Sequence, residues 1–256
     1  VSELVEVIAK HHGEQVKAVY AGGSFARGDF VPGRSDVDLY VVVKGEKEEL
    51  QEALHNKALE IERRHFNNLR AALDEVLGVT VTTLKEVEEG NSFLAMGFEY
   101  PNFIKDGKLL WGDDIKLLIP KPAAEKQKQT AKNSLNKVFL LVSRLERNLK
   151  WLKSVPFRLV PRKSKERWTR QAFELTFRTG ALFLGCKGIY VSAKEDIASA
   201  FKATMHNEEE LCRIMSYALS LWEKWKTEPL DDTETKELLE NSGKFVKRMQ
   251  SLQTSP

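Results

Sequence analysis

Apolar positions in the first part of the chain switch between two periods. Leu4, Val5, Ile8 and Ala9 recur at helical spacing, which predicts a first helix capped by Ser2 and ending near Gly13. Val16 to Ala21 reads as a strand. Asp36 to Val43 reads as a second strand, and its unbroken apolar tail predicts a place inside the sheet. Between them, Gly22-Gly23-Ser24 predicts a turn into a short helix that stops around Gly28, and Pro32-Gly33 predicts another turn. From Glu46 to Leu77 no Gly or Pro interrupts a helical pattern carried by Leu50, Leu54, Ala58, Ile61, Phe66, Leu69 and Leu73. Gly78 to Leu84 returns to alternation, with Val79 and Val81 on one face and Gly78, Thr80 and Thr82 on the other. A short acidic helix follows, and Asp106-Gly107 predicts a hairpin over Asn102 to Trp111.

Pro120-Lys121-Pro122 cannot continue a helix and sets a boundary; beyond it the pattern is helical throughout. Helices are predicted over 123–153, 166–186, 193–205, 208–226 and 233–252. A basic loop from Ser154 to Lys165, the Gly185 to Val191 segment and Glu228-Pro229 separate them. Ser192 and Glu195 have the spacing of a capping box, and Glu208 to Glu210 suit the first turn of a helix. The predicted fold class is therefore α/β followed by all-α: a mixed sheet with helices over 1–119, then a helical bundle over 123–256.

Composition adds a compartment and a charge map. At 256 residues and 42% hydrophobic content the chain can bury one large core or two ordinary ones. Cys186 and Cys212 sit in helical patterns with apolar neighbours, so reduced, buried thiols in a cytoplasmic protein are expected. No apolar run is long enough to cross a bilayer, and the N-terminus lacks the pattern of a signal peptide. The net charge of +3 hides a division: residues 1–122 hold 15 Lys/Arg against 21 Asp/Glu, and residues 123–256 hold 25 against 16. Within 126–170, 14 basic residues meet only Glu146 and Glu166, which suits either a solvated helix face or an attraction for triphosphate or RNA. His11, His12, His55, His65 and His206 show no spacing for zinc.

The chemistry concentrates between Val19 and Val43. Asp36 and Asp38 are two apart on a predicted strand, so their carboxylates point the same way and can share a hard divalent cation such as Mg²⁺ together with substrate phosphates. The Gly-Gly-Ser turn beside them offers backbone N–H groups and a hydroxyl to an anion. A metal-nucleotide site is the reading that uses both parts.

Gly23-Ser24, eleven intervening residues and Asp36-Val37-Asp38, on a strand–turn–strand frame, resemble the signature of the polymerase-β-like nucleotidyltransferases. With a helical half following, the chain resembles the streptomycin/spectinomycin-type aminoglycoside adenylyltransferases. Leu175-Thr176-Phe177-Arg178, Ser192 to Ala198 and Tyr217-Ala218-Leu219 carry that part of the likeness. The resemblance implies a catalytic domain over 1–119 and a nucleotide- and acceptor-binding domain over 123–256. It implies transfer of a nucleoside monophosphate, AMP from ATP, to a hydroxyl of a small acceptor, with release of pyrophosphate. Asp36 and Asp38 are then the Mg²⁺ ligands and catalytic carboxylates, Gly23, Ser24 and Ser35 hold the phosphates, and Arg178, Lys194 and Tyr217 contact ATP. The family pattern also asks for a third carboxylate, and the matching position is Gly78. Glu75 and Glu99 are candidates to replace it. The alternatives are transfer to RNA or protein, or a nucleotide-binding regulatory protein with impaired catalysis.

Overall fold

The computed structural model describes residues 1–65, 76–95, 99–154 and 157–254, the side chains of 141–154 and 254 excepted. It divides into two compact units, Val1–Lys126 and Gln127–Pro256.

The first unit is built on a four-stranded sheet in the order β3-β2-β1-β4. Strand β1 (Val16–Ala21) pairs antiparallel with β2 (Val37–Val43) and with β4 (Lys108–Gly112), whereas β2 and β3 (Leu77–Thr83) run parallel. Strand β2 lies inside the sheet, as its apolar tail predicts. Its alternation sorts the two faces. Val37, Leu39, Val41 and Val43 join Val79 and Val81 in a core with Leu4 and Ile8 of α1 (Ser2–His12) and Leu50, Leu54, Ala58 and Ile61 of α3 (Glu48–His65). Val42 joins a second core on the other face with Tyr20, Val87, Leu94 and Phe103. Between β1 and β2 runs α2 (Gly23–Arg27), one short turn of helix closed by Gly28 at φ 87°.

Strand β3 is an edge strand, and α3 covers its open side. The Gln51 side-chain amide donates to Val79 O at 2.8 Å and accepts from Val81 N at 2.7 Å. The buried Glu62 carboxylate accepts from the N–H groups of Val76 and Leu77 at 2.7 and 2.6 Å. These side chains satisfy the row of backbone groups that an unpaired edge would otherwise expose. After β3, α4 (Leu84–Glu88) opens with a capping box: Thr83 Oγ1 accepts from Glu86 N at 3.1 Å and Thr83 N donates to Glu86 Oε2 at 2.9 Å.

Three local expectations are corrected. Asn102 to Trp111 is not a hairpin: its first arm is the end of α5 (Glu99–Asp106), and β4 follows Gly107 directly. Burial of Phe103 against the rings of Tyr20 and Tyr40 places this segment by one helical face, which overrides the turn signal of Asp106-Gly107. Ser2 does not cap α1; the helix already begins there, with Val1 in the capping position. The Ser192–Glu195 box does not open its helix, since α8 (Lys194–Thr204) starts one residue later behind Ala193. The long helix read over 46–77 is α3 up to His65; Phe66, Leu69, Leu73 and Glu75 lie outside the described residues.

The second unit is helical: α6 (Ala124–Ser154), α7 (Arg162–Cys186), α8, α9 (Glu209–Thr227) and α10 (Asp232–Thr254). Helix α7 starts earlier than expected, so the basic loop donates Arg162 to Lys165 to its first turn. It packs against α8, α9 and α10. Phe173 lies 5.5 Å from Trp222 and 5.3 Å from Trp225, centroid to centroid. Small and hydroxylated residues keep α10 close to α7, with Ser242 Oγ donating to Ala172 O across the contact at 3.1 Å.

Candidate active site

The Gly-Gly turn is bound to β2 by its backbone and shaped by side chains on one face of that strand. Gly22 N donates to Asp38 O at 2.9 Å, which draws the end of β1 against the start of β2. Gly23 follows at φ 59°, a left-handed conformation that favours glycine, and a Cβ there would stand 2.7 Å from Asp38 Oδ2. A Cβ at Gly22 would fall 2.4 Å from Cε2 of Tyr40. The two glycines therefore let the turn sit directly on Asp38 and Tyr40. Ser24 lies on α2, where its carbonyl accepts from Gly28 N at 3.0 Å and Asp29 N at 3.1 Å.

Asp36 immediately precedes β2 and Asp38 lies on it, both partly exposed. Ser35 is buried. Its Oγ accepts from Val31 N at 3.1 Å and its N–H donates to Val31 O at 2.9 Å, so it closes the loop that delivers Asp36. Strand alternation puts Asp38 and Tyr40 on the face opposite the α1/α3 core. Gly23, Ser24, Ser35, Asp36 and Asp38 thus come from two adjacent strand ends of one unit.

Position 78 is where the family resemblance asks for a third carboxylate. Asp38 and Gly78 are direct partners in the parallel ladder, and a Cβ built on Gly78 would lie 3.7 Å from Asp38 Oδ1. A carboxylate in that place would stand beside Asp38; this chain has none there. Past the end of β3, the acid Glu86 of α4 is engaged elsewhere. Lys47 pairs with it, Thr82 Oγ1 donates to it at 3.0 Å, and its pKa is pulled down from 4.5 to about 2, chiefly by Lys47 and then by the Thr83 N–H.

Tyr40 also belongs to this group, and the one sign of it in the sequence is its place two residues after Asp38 on the same face of β2. Phe93 and Phe103 pack on its ring at 5.7 and 5.9 Å. Burial, and then the charges of Asp38, Glu99 and Asp36, push its phenol well above the ordinary value, so it stays a neutral hydroxyl beside the carboxylates. Glu99 is therefore within electrostatic reach of this group, whereas Glu75 lies outside the described residues. Among the described residues, no three His, Cys, Asp or Glu side chains cluster closely enough to hold a metal by themselves.

The three expected nucleotide contacts of the second unit lie on three helices. Arg178 is exposed on α7. Lys194 opens α8 with its ammonium 3.8 Å from the ring centre of Trp222 and 5.9 Å from that of Phe177, a cation–π seat that fixes the charge. Tyr217 on α9 donates its hydroxyl to Glu237 Oε2 at 2.6 Å. Lys194 is thus placed beside the residue preceding Arg178, while Tyr217 is committed to α10. Cys186 and Cys212 are free thiols, and among the described residues no helix is long and apolar enough to cross a membrane.

No curated protein matches the chain in sequence. Among solved structures, the chain is similar to spectinomycin adenyltransferase AAD(9) from Enterococcus faecialis, solved with ATP and spectinomycin. The TM-score is 0.56 at 13% identity, over 96% of this chain and 97% of that one. At that identity the likeness is one of fold. The family model for the nucleotidyltransferase domain matches residues 1–179, which include the glycine turn, the paired aspartates and all four strands. With that match over most of its length, and with the strand-end carboxylates set on a glycine turn, the chain belongs to the nucleotidyltransferase family and is a nucleotidyltransferase enzyme.

Proposed function

We propose that the protein transfers a nucleoside monophosphate, AMP from ATP, to a hydroxyl of a small acceptor and releases pyrophosphate. The observation that carries this reading is the seat of Asp38 against the Gly22-Gly23 turn, with Asp36 beside it. The donor set suits Mg²⁺: two half-exposed carboxylates supply hard oxygens and leave room for water and phosphate oxygens, which this ion requires. Asp36 and Asp38 would hold it. When bound, Mg²⁺ neutralises triphosphate charge and orients the α-phosphorus for in-line attack.

The chain's own groups do the positioning. Gly23 and Ser24 present the turn to the β- and γ-phosphates, and Ser35 fixes the loop that sets Asp36. Tyr40, held neutral, can donate a hydrogen bond where a phenolate would repel phosphate. We assign Arg178, Lys194 and Tyr217 to the nucleotide on the resemblance of their stretches; of these, Lys194 has the more fixed charge. The first unit is then the catalytic domain and the second the nucleotide- and acceptor-binding domain. The relative solved with ATP and spectinomycin supports a small hydroxylated acceptor. Such transfer asks little covalent work of the protein, so positioning and electrostatics dominate its rate.

Incubation with α-labelled ATP, Mg²⁺ and spectinomycin or related hydroxylated cyclitols tests the reading. Labelled acceptor and stoichiometric pyrophosphate are expected. Tight Mg-ATP binding by calorimetry with no pyrophosphate release across that panel would instead favour the regulatory alternative, which Gly78 motivates.

A further inference from the structure

The family resemblance asks for a third carboxylate beside the paired aspartates, and position 78 does not supply it. Gly78 leaves the position abreast of Asp38 without an acid.

We propose that Glu99 is the general base of this enzyme, taking the proton of the acceptor hydroxyl in place of a carboxylate at position 78. The inference rests on the nucleotidyl-transfer reading above. Glu99 opens α5 and lies one turn before Phe103, so both occupy one helix face. Phe103 meets the ring of Tyr40 at 5.9 Å, and Tyr40 is the next residue after Asp38 on its face of β2. Helix α5 also packs on α2, the helix that begins at Gly23. One face of α5 therefore brings Glu99 to the same side of the sheet as the paired aspartates, and its charge reaches the Tyr40 hydroxyl together with theirs.

The step balances without a further reactant. The acceptor O–H proton passes to the Glu99 carboxylate as the oxygen forms its bond to the α-phosphorus. The bond from that phosphorus to the bridging oxygen breaks, and its electron pair leaves with pyrophosphate.

The test uses the full chain with Mg-ATP and two probes, spectinomycin and water, following labelled adenylyl product and pyrophosphate. For Glu99→Gln the expected result is a fall in kcat of about 100-fold, the size of a lost general base, with Mg-ATP affinity by calorimetry unchanged within about twofold. The acidic limb of the pH–rate profile should vanish with it, and Glu99→Asp should recover part of the rate. Introducing Gly78→Glu into the Glu99→Gln chain should raise the rate again, since a Cβ at position 78 meets nothing nearer than 3.7 Å and would carry a carboxylate beside Asp38. Undiminished turnover in Glu99→Gln, or a parallel loss of Mg-ATP binding, overturns the assignment and leaves nucleotidyl transfer standing. No pyrophosphate from the unaltered chain with either probe overturns the transfer reading, and this inference with it.

Discussion

Two glycines at the site meet opposite demands. Gly23 is required by its φ of 59° and by Asp38, whose carboxylate occupies the space a methyl would need. Gly78 is free of both constraints, its nearest contacts being 3.7 Å to Asp38 Oδ1 and 3.8 Å to Val37 O. Gly23→Ala is expected to destabilise the chain by about 1–2 kcal/mol from the left-handed backbone alone, and to reduce transfer by displacing Asp38. Gly78→Ala should stabilise it by about 0.5 kcal/mol through the unfolded state. Denaturant midpoints of both variants check the opposite signs; equal signs would contradict the geometry. The paired aspartates and the turn were legible because strand alternation and glycine spacing are local properties. Tyr40, Gln51 and Glu62 were not, because their roles depend on which elements they face. A buried acid such as Glu62 has no mark in the sequence until α3 is laid along the open edge of β3.

At the scale of elements, local signals succeeded where packing agreed with them. Strand β1 and helix α2 fold as read, and β2 does so from Val37, one residue after Asp36. Asp106-Gly107 shows the converse, because an aromatic face on α5 outweighs a turn dipeptide. Capping spacing is similarly context-dependent: Thr83 and Glu86 form a box at the end of β3, whereas Ser192 and Glu195 do not open α8. Glu86 gives this element a pH signature. Its folded pKa of about 2 lies below the ordinary 4.5, so the stability it contributes is fully present above pH 4.5 and is lost as the pH falls toward 2. Glu86→Gln should cost about 1 kcal/mol at pH 7, the size of a lost cap in a partly exposed ion pair, and progressively less on acidification. Unfolding at pH 7 and pH 3 compares the two; a constant difference would mean that the Glu86 charge contributes nothing.

Across the whole molecule, the two halves differ in charge and in kind. The basic tract over 126–170 reads in the sequence as a candidate RNA surface. Several of its charges are compensated by acids: Lys165 by Asp232 at 2.6 Å, Arg162 by Glu166 and Arg170 by Glu174 at 2.9 Å each. Filter binding with a single-stranded RNA is therefore expected to detect only weak, salt-sensitive association, absent at about 0.15 M salt. Binding retained there would make RNA the acceptor to examine. The change from a mixed sheet to helices alone was legible from the change of period after Pro120-Lys121-Pro122. The seat of Lys194 was not, since it depends on Trp222, which lies on the following helix.

The central claim, that Asp36 and Asp38 bind the metal-nucleotide and enable transfer, is tested most directly by replacing each with Asn and following transfer from α-labelled ATP with Mg²⁺. Removal of a group that stabilises transition-state charge predicts a loss of at least about 100-fold for either variant. The fold should persist, since both side chains are partly exposed. Transfer at the unaltered rate in either variant, with the fold intact, would contradict the account.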